Sequence, residues 1–181
     1  MLGAFALLWP FAPLGAEGSP YSEYQIKAAF LFNFAKFVEW PERSAQSEAE
    51  FVVAILGEDP FGKELEEELE KKTIQDRKLV IKRVATVQEA AGAQLLFVSA
   101  SERHALAAIL AAVKDLPILT VSDIKDFAQH GGMLGFSADE KKVRFHVNAR
   151  AAEQAGLKIS SQLLKLAKTV ISQAFKHPTY A

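Results

Sequence analysis

Between Phe51 and Phe136 the sequence alternates short apolar runs with stretches of helical periodicity, and no other feature limits the fold as strongly. The runs Phe51–Leu56, Leu79–Val84, Leu95–Val98, Pro117–Val121 and Met133–Phe136 have the length of strands. Helical segments separate them. Gly57-Glu58-Asp59-Pro60 opens a helix predicted to run through Lys72, with Phe61, Leu65 and Leu69 inward and Pro60 in its first turn. Thr86–Ala91 reads as a short helix, Ser101–Val113 as an Ala- and Leu-rich one capped by Ser101, and Ser122 or Asp123 caps another ending near Gln129. Strands joined through helices form parallel sheets covered on both sides. The expectation is therefore an α/β fold: a mostly parallel sheet of about five or six strands, helices on both faces, a Rossmann-like three-layer sandwich.

The flanks complete this frame. Glu23–Trp40 contains neither Gly nor Pro and reads as one helix stopped by Pro41, with Ile26, Phe30, Phe34 and Phe37 on its inward stripe. Arg43–Glu50 is a polar linker. Near the other end, Val143, Phe145 and Val147 alternate with Arg144, His146 and Asn148, which predicts a half-exposed strand and a hairpin with 133–136. Ala149–Ala155 is helical and Gly156 ends it. Ser160 then starts an amphipathic helix whose inward residues are Leu163, Leu164, Ala167, Val170 and Ile171. The domain is placed at 23–176.

The ends and the composition bear on compartment and partners. Leu2–Pro13 carries no charge and is mostly apolar, and Leu14-Gly15-Ala16 precedes the first charge, Glu17. This pattern predicts a signal peptide over 1–16, too short to span a bilayer, and hence export to the periplasm. The chain has no cysteine, which removes disulfides, thiolate metal sites and thiol nucleophiles. Its 21 basic and 22 acidic residues lack the broad positive field of a nucleic-acid binder.

Open α/β sheets bind ligands at the carboxyl ends of their strands, so a pocket is expected from Glu58, Asp59, Ser99, Ser101, Ser122 and Asp123. The chemistry of those ends is sparse. Two carboxylates stand where a dinucleotide-binding turn needs glycines, and the Walker pattern is absent. Receiver chemistry would need an Asp where Ser99 closes the third strand. No G-x-S-x-G elbow accompanies the serines, and Ser101 with His104 on one helix lacks an orienting third group. His104, His130, His146 and His177 show no metal-ligand spacing. No catalytic residue, metal or cofactor is assigned.

Tyr24-Gln25-Ile26-Lys27-Ala28-Ala29-Phe30-Leu31-Phe32-Asn33-Phe34-Ala35-Lys36-Phe37-Val38-Glu39-Trp40-Pro41 resembles the opening helix of the YfiR-like periplasmic proteins. The likeness continues through Ile55–Gly62, Leu96–Ser99, Leu119–Ile124, Gly131–Phe136, Lys142–Phe145 and Ala155–Ser161, about 24–170 in all. It implies a dimeric, non-enzymatic α/β protein that binds the periplasmic domain of an inner-membrane sensor, a diguanylate cyclase or a histidine kinase. In the best-understood members this represses a diguanylate cyclase and lowers cyclic-di-GMP, with an outer-membrane lipoprotein and periplasmic redox state as controls. Without cysteine, this chain lacks the disulfides of those members. Partner contacts are expected at Glu153, Leu157 and Ile159, because the irregular link between two helices carries two apolar side chains there. The alternative is a periplasmic domain for a small molecule or cell-wall fragment, using the strand-end pocket.

Overall fold

The computed structural model describes residues 21–41, 50–139 and 142–172. The predicted leader 1–16, residues 43–49 of the linker, the hairpin tip at 140–141, His177 and the last residues of the predicted domain, 173–176, lie outside them.

The first helix, α1, spans Glu23–Lys36. Ser22 starts it with a capping box: its hydroxyl accepts from the Gln25 N–H at 3.0 Å, and its own N–H donates to Gln25 Oε1 at 2.8 Å. The helix stops four residues before the predicted end. Val38–Glu39 leaves it to form strand β1, which pairs antiparallel with β9, Lys158–Ile159. The buried stripe is also rotated from the expected one, comprising Lys27, Ala28, Leu31, Phe34 and Ala35, whereas Ile26 and Phe30 are half-buried beside the next helix.

Strand β2 (Glu50–Leu56) leads into α2, which covers only Lys63–Leu69 and keeps Phe61, Leu65 and Leu69 buried as predicted. A hairpin absent from the sequence reading follows. β3 (Thr73–Ile74) turns into β4 (Arg77–Val84) through Gln75 and Asp76, both at positive φ (51° and 61°), as a tight primed turn requires. After a 3₁₀ turn at Val87–Ala90 comes β5, Leu95–Val98, with the predicted limits. The next helix is divided. Ala100–Ala105 is 3₁₀ with Ser99, not Ser101, as its cap, and α3 proper is Leu106–Val113. β6 is Leu119–Ser122, and residues 123–131 then run as turns instead of the expected short helix. β7 (Leu134–Asp139) and β8 (Lys142–Asn148) form the predicted antiparallel hairpin. α4 is Ala149–Gln154, ended by Gly156 at φ 76°. α5, Ser161–Leu166, is shorter than expected, because Thr169–Ile171 leaves the helical path as β10 and pairs parallel with β8. Val170 is consequently exposed rather than inward.

Eight strands form the main sheet, ordered β10-β8-β7-β6-β5-β2-β4-β3. The five or six expected strands are its centre; the additions are the short edge strands β3 and β10. Strands β4-β2-β5-β6-β7 pair in parallel, and numbered along the chain they have the order 2-1-3-4-5. That is a doubly wound order of the flavodoxin kind, distinct from the 3-2-1-4-5-6 order of dinucleotide-binding sheets.

Alternation along β2 separates two cores. Phe51, Val53 and Ile55 pack with α1, α2, α4 and α5; Val52, Ala54 and Leu56 pack with α3 and Val87–Ala90. Helices thus cover both faces. On the first face Phe34 meets Phe136 and Phe145, with ring centroids 5.5 and 5.0 Å apart. Rings at these separations add about 0.5–1.5 kcal/mol per pair beyond the area they bury. Phe34 is fully buried, so its truncation would also leave a cavity.

Candidate functional site

A doubly wound sheet binds ligands where its strand order reverses, here between the carboxyl ends of β2 and β5. Gly57 and Ser99 stand there. The Ser99 hydroxyl accepts from the Ser101 N–H at 3.4 Å, and the Ser101 hydroxyl accepts from the Glu58 N–H at 3.0 Å and donates to Glu102 Oε1 at 3.2 Å. A Cβ at Gly57 would fall 2.4 Å from Ser101 Oγ and 2.7 Å from the Glu102 side chain. The crevice is therefore filled by the chain's own 3₁₀ segment, and Gly57 is needed both for its φ of 87° and for this close approach.

The other predicted pocket residues are likewise committed. Asp59 accepts from the Phe61 N–H at 2.8 Å and receives the Arg83 guanidinium at 2.6 Å; Arg83 also reaches Glu66 at 2.6 Å. The hydrogen bond to Glu66 first, then the one to Asp59, raises the Arg83 pKa further. Ser122 is fully buried, donates to the Val98 carbonyl at 2.7 Å and accepts from the Ile124 N–H at 2.9 Å. It shapes the end of β6. Asp123 Oδ2 receives the buried Lys27 ammonium at 2.8 Å and the Tyr24 hydroxyl at 2.9 Å. The six residues divide into four local networks, and no described cavity unites them. Each of the six strand-end residues is thus tied by hydrogen bonds within its own part of the fold.

Three of the described cavities lie away from these six residues, and a fourth includes Asp123 alone of them. One of about 440 Å³ separates α1 from α2, with Ile26 and Phe30 against Glu64, Glu67 and Glu68. Another, about 640 Å³, lies between α3 and the 123–130 segment beside His104 and His130. A third, about 370 Å³, borders β2 and the Val87–Ala90 turn, and a fourth, about 330 Å³, includes Asp123. Among the described residues no three His, Asp or Glu side chains group as a metal site, and no helix is long and apolar enough to cross a membrane.

The expected partner contacts sit at the opposite end of the sheet. α1 runs from the carboxyl ends of the strands, where Lys27 meets Asp123, to their beginnings, where Trp40 packs edge-on against Phe51 at 5.2 Å. There the β1–β9 ribbon joins α1 to the α4–β9 corner, and the Ser160 N–H donates to the Phe37 carbonyl at 2.9 Å. Glu153 is exposed on α4. Ile159 is half-buried opposite Val38, and Leu157 is 1% exposed, so its side chain belongs to the core. A partner meeting this corner would touch Glu153 and the open side of Ile159, with Leu157 supporting them from beneath. The sequence reading missed Trp40. Its indole N–H, close to this ribbon, is buried without a hydrogen-bond partner among the described residues.

Comparison with known proteins completes the description. A family model described as YfiR/HmsC-like matches residues 24–168. No curated protein matches. Among solved structures, a conserved domain protein from Vibrio cholerae O1 biovar eltor is similar with a TM-score of 0.58 and 12% identity, over 82% of this chain. The chain spans 60% of that protein's length. The ABC domain in complex with L-Trp from Streptococcus pneumonia has a TM-score of 0.45 and 12% identity, over 67% of this chain and 55% of that one.

Proposed function

Because the chain belongs to the YfiR/HmsC-like family, a regulatory, non-catalytic family of periplasmic proteins in diguanylate cyclase signalling, we propose that it represses such a cyclase by binding the cyclase's periplasmic domain. Repression follows if the chain binds the inactive conformation of that domain more tightly than the active one, since only differential affinity shifts a two-state equilibrium. Release by a competitor, an outer-membrane lipoprotein in this reading, restores the cyclase and raises cyclic-di-GMP.

The observation that carries this reading is the α4–β9 corner. Glu153 projects from a short helix, and Ile159 sits in a two-residue ribbon with a side left open, while buried Leu157 fixes both to the core. An exposed charge beside a half-buried apolar side chain on a rigid support suits protein recognition, in which a few anchored residues carry most of the energy. We place the partner contact at Glu153 and Ile159 and take the working unit to be a homodimer. Export by the leader 1–16 is part of the same proposal. Thiol control is not, since the chain has no cysteine.

Deleting the gene in its own host and measuring cyclic-di-GMP tests the proposal. Cyclic-di-GMP should rise on deletion and return to its starting level with the wild-type chain but not with Glu153→Arg. An unchanged level on deletion would sink the repressor reading.

A further inference from the structure

Among the described residues, five buried side-chain atoms have no hydrogen-bond partner, and three of them, Asp123 Oδ1, Ser137 Oγ and His146 Nδ1, belong to residues lining a single cavity of about 330 Å³. Buried polar atoms are normally satisfied, so three orphans at one cavity mark a place where something polar is held. From this convergence we propose that the cavity binds a neutral polyhydroxylated molecule of about monosaccharide size.

Its walls follow from the fold. Gly135 pairs with His146 across the β7–β8 hairpin, and Ser137 lies two residues further along β7, so all three occupy one face of the sheet. The 123–130 segment covers that face closely: a Cβ on Gly135 would stand 3.2 Å from the Ala128 nitrogen and 3.3 Å from Phe127 Cβ. Asp123 enters from the end of β6. Its Oδ2 is taken by Lys27 and Tyr24, leaving Oδ1 buried with an open acceptor site.

The donor set selects the ligand. Asp123 Oδ1 accepts only, and the Ser137 hydroxyl donates and accepts. The His146 nitrogen does one or the other according to tautomer. Asp123 is paired with the Lys27 ammonium at 2.8 Å, and Lys125 and Asp126 in the lining are of opposite sign, so the charges balance and favour neither an anion nor a metal cation. A hydroxyl both donates and accepts, so adjacent hydroxyls on one small molecule answer all three atoms, while Phe127 supplies apolar surface among the lining residues. The volume is at the small end of ligand pockets, roughly 300–1,000 Å³.

The test is saturation-transfer NMR on the full chain with D-glucose and with N-acetyl-D-glucosamine as probes at millimolar concentration. Transfer to the ring protons of at least one sugar is expected, with binding weakened about tenfold in Ser137→Ala/His146→Phe, which removes two of the three polar contacts. Should that pair fail to unfold cooperatively, Ser137→Ala alone serves, with a smaller loss in the same direction. Absence of transfer from the wild-type chain, meaning that only water satisfies the three atoms, would overturn the proposal. Equal transfer from wild type and variant would overturn it too. Neither result bears on the repressor reading, which is decided by cyclic-di-GMP.

Discussion

The Lys27 ammonium lies 2.8 Å from Asp123 Oδ2, joining the first turns of α1 to the end of β6 across 96 positions of sequence. Both side chains are largely buried, 5% and 11% exposed, and Lys27 also donates to Glu23 at 2.7 Å and lies 4.3 Å from the centre of the Tyr24 ring. A charge at this depth is tolerable only because its partners are in place. The pair therefore fixes where α1 begins on the sheet, while Phe34 and its aromatic neighbours hold the helix further along.

Removing one member of such a pair leaves the other buried and unpaired. Lys27→Met should destabilise the fold by about 3 kcal/mol, at the lower end for buried pairs because Tyr24 still donates to Asp123. Lys27→Met/Asp123→Leu should cost less than the sum of the single changes, since neither charge remains. Urea unfolding of the four proteins in a double-mutant cycle measures this, and strict additivity would show that the two groups do not interact.

The same cluster makes stability fall in alkali. Burial first, and then the hydrogen bond to Asp123, raises the Tyr24 pKa above its ordinary 10.0. Burial works against the Lys27 charge, but hydrogen bonds to Asp123 and Glu23 outweigh it, and its pKa is raised above the ordinary 10.5. A group with a raised folded pKa stabilises fully below its unfolded pKa and loses that contribution as pH rises through the folded value. Urea midpoints should thus hold steady below about pH 10 and fall above it, more steeply in the wild type than in Lys27→Met/Tyr24→Phe. Parallel curves for the two proteins would place the alkaline loss elsewhere.

Strand periodicity was the most legible part of the fold. Leu95–Val98 is buried along its whole length and needs no further information, and the alternation at 143–147 announces the β7–β8 hairpin. Two- and three-residue strands have no period to detect, so β1, β3, β9 and β10 were hidden, and with them the early ends of α1 and α5. The stripe on α1 was misread because Lys27 is buried, which hydropathy alone penalises and Asp123 makes possible. The site was less legible than the fold. Strand ends are readable, but not that Ser101 and Glu102 fold back over Gly57. The cavity beside His146 depends on the register that sets it opposite Gly135; the only trace in the sequence is a histidine on the polar side of an alternating strand.

Gly57 should tolerate no side chain. Gly57→Ala adds strain at φ 87° and drives a methyl group into Ser101 Oγ, for a combined loss of about 2–4 kcal/mol. Adding Ser101→Ala removes the contact but not the strain, so the double variant should recover part of the loss. Thermal unfolding of the two proteins separates the contributions. If the second change brings no recovery, the 3₁₀ segment does not close the crevice in solution.

Contact and support at the α4–β9 corner are separable because burial differs sharply between neighbours. Leu157 is 1% exposed, and Leu157→Ala should cost about 2–5 kcal/mol, reducing repression through loss of folded protein. Glu153 is exposed and makes no ion pair or side-chain hydrogen bond among the described residues, so Glu153→Arg should leave the melting curve within about 0.5 kcal/mol of wild type while abolishing repression. Ile159 lies between these cases. Ile159→Asp should weaken binding to the purified periplasmic domain of the cyclase, with cooperative unfolding retained, because one side of the two-residue ribbon stays open to solvent. Binding is read by calorimetry and folding by circular dichroism on the same samples. Should Ile159→Asp fail to fold while Glu153→Arg binds normally, the corner is a clamp for the last helix, and the partner meets another face.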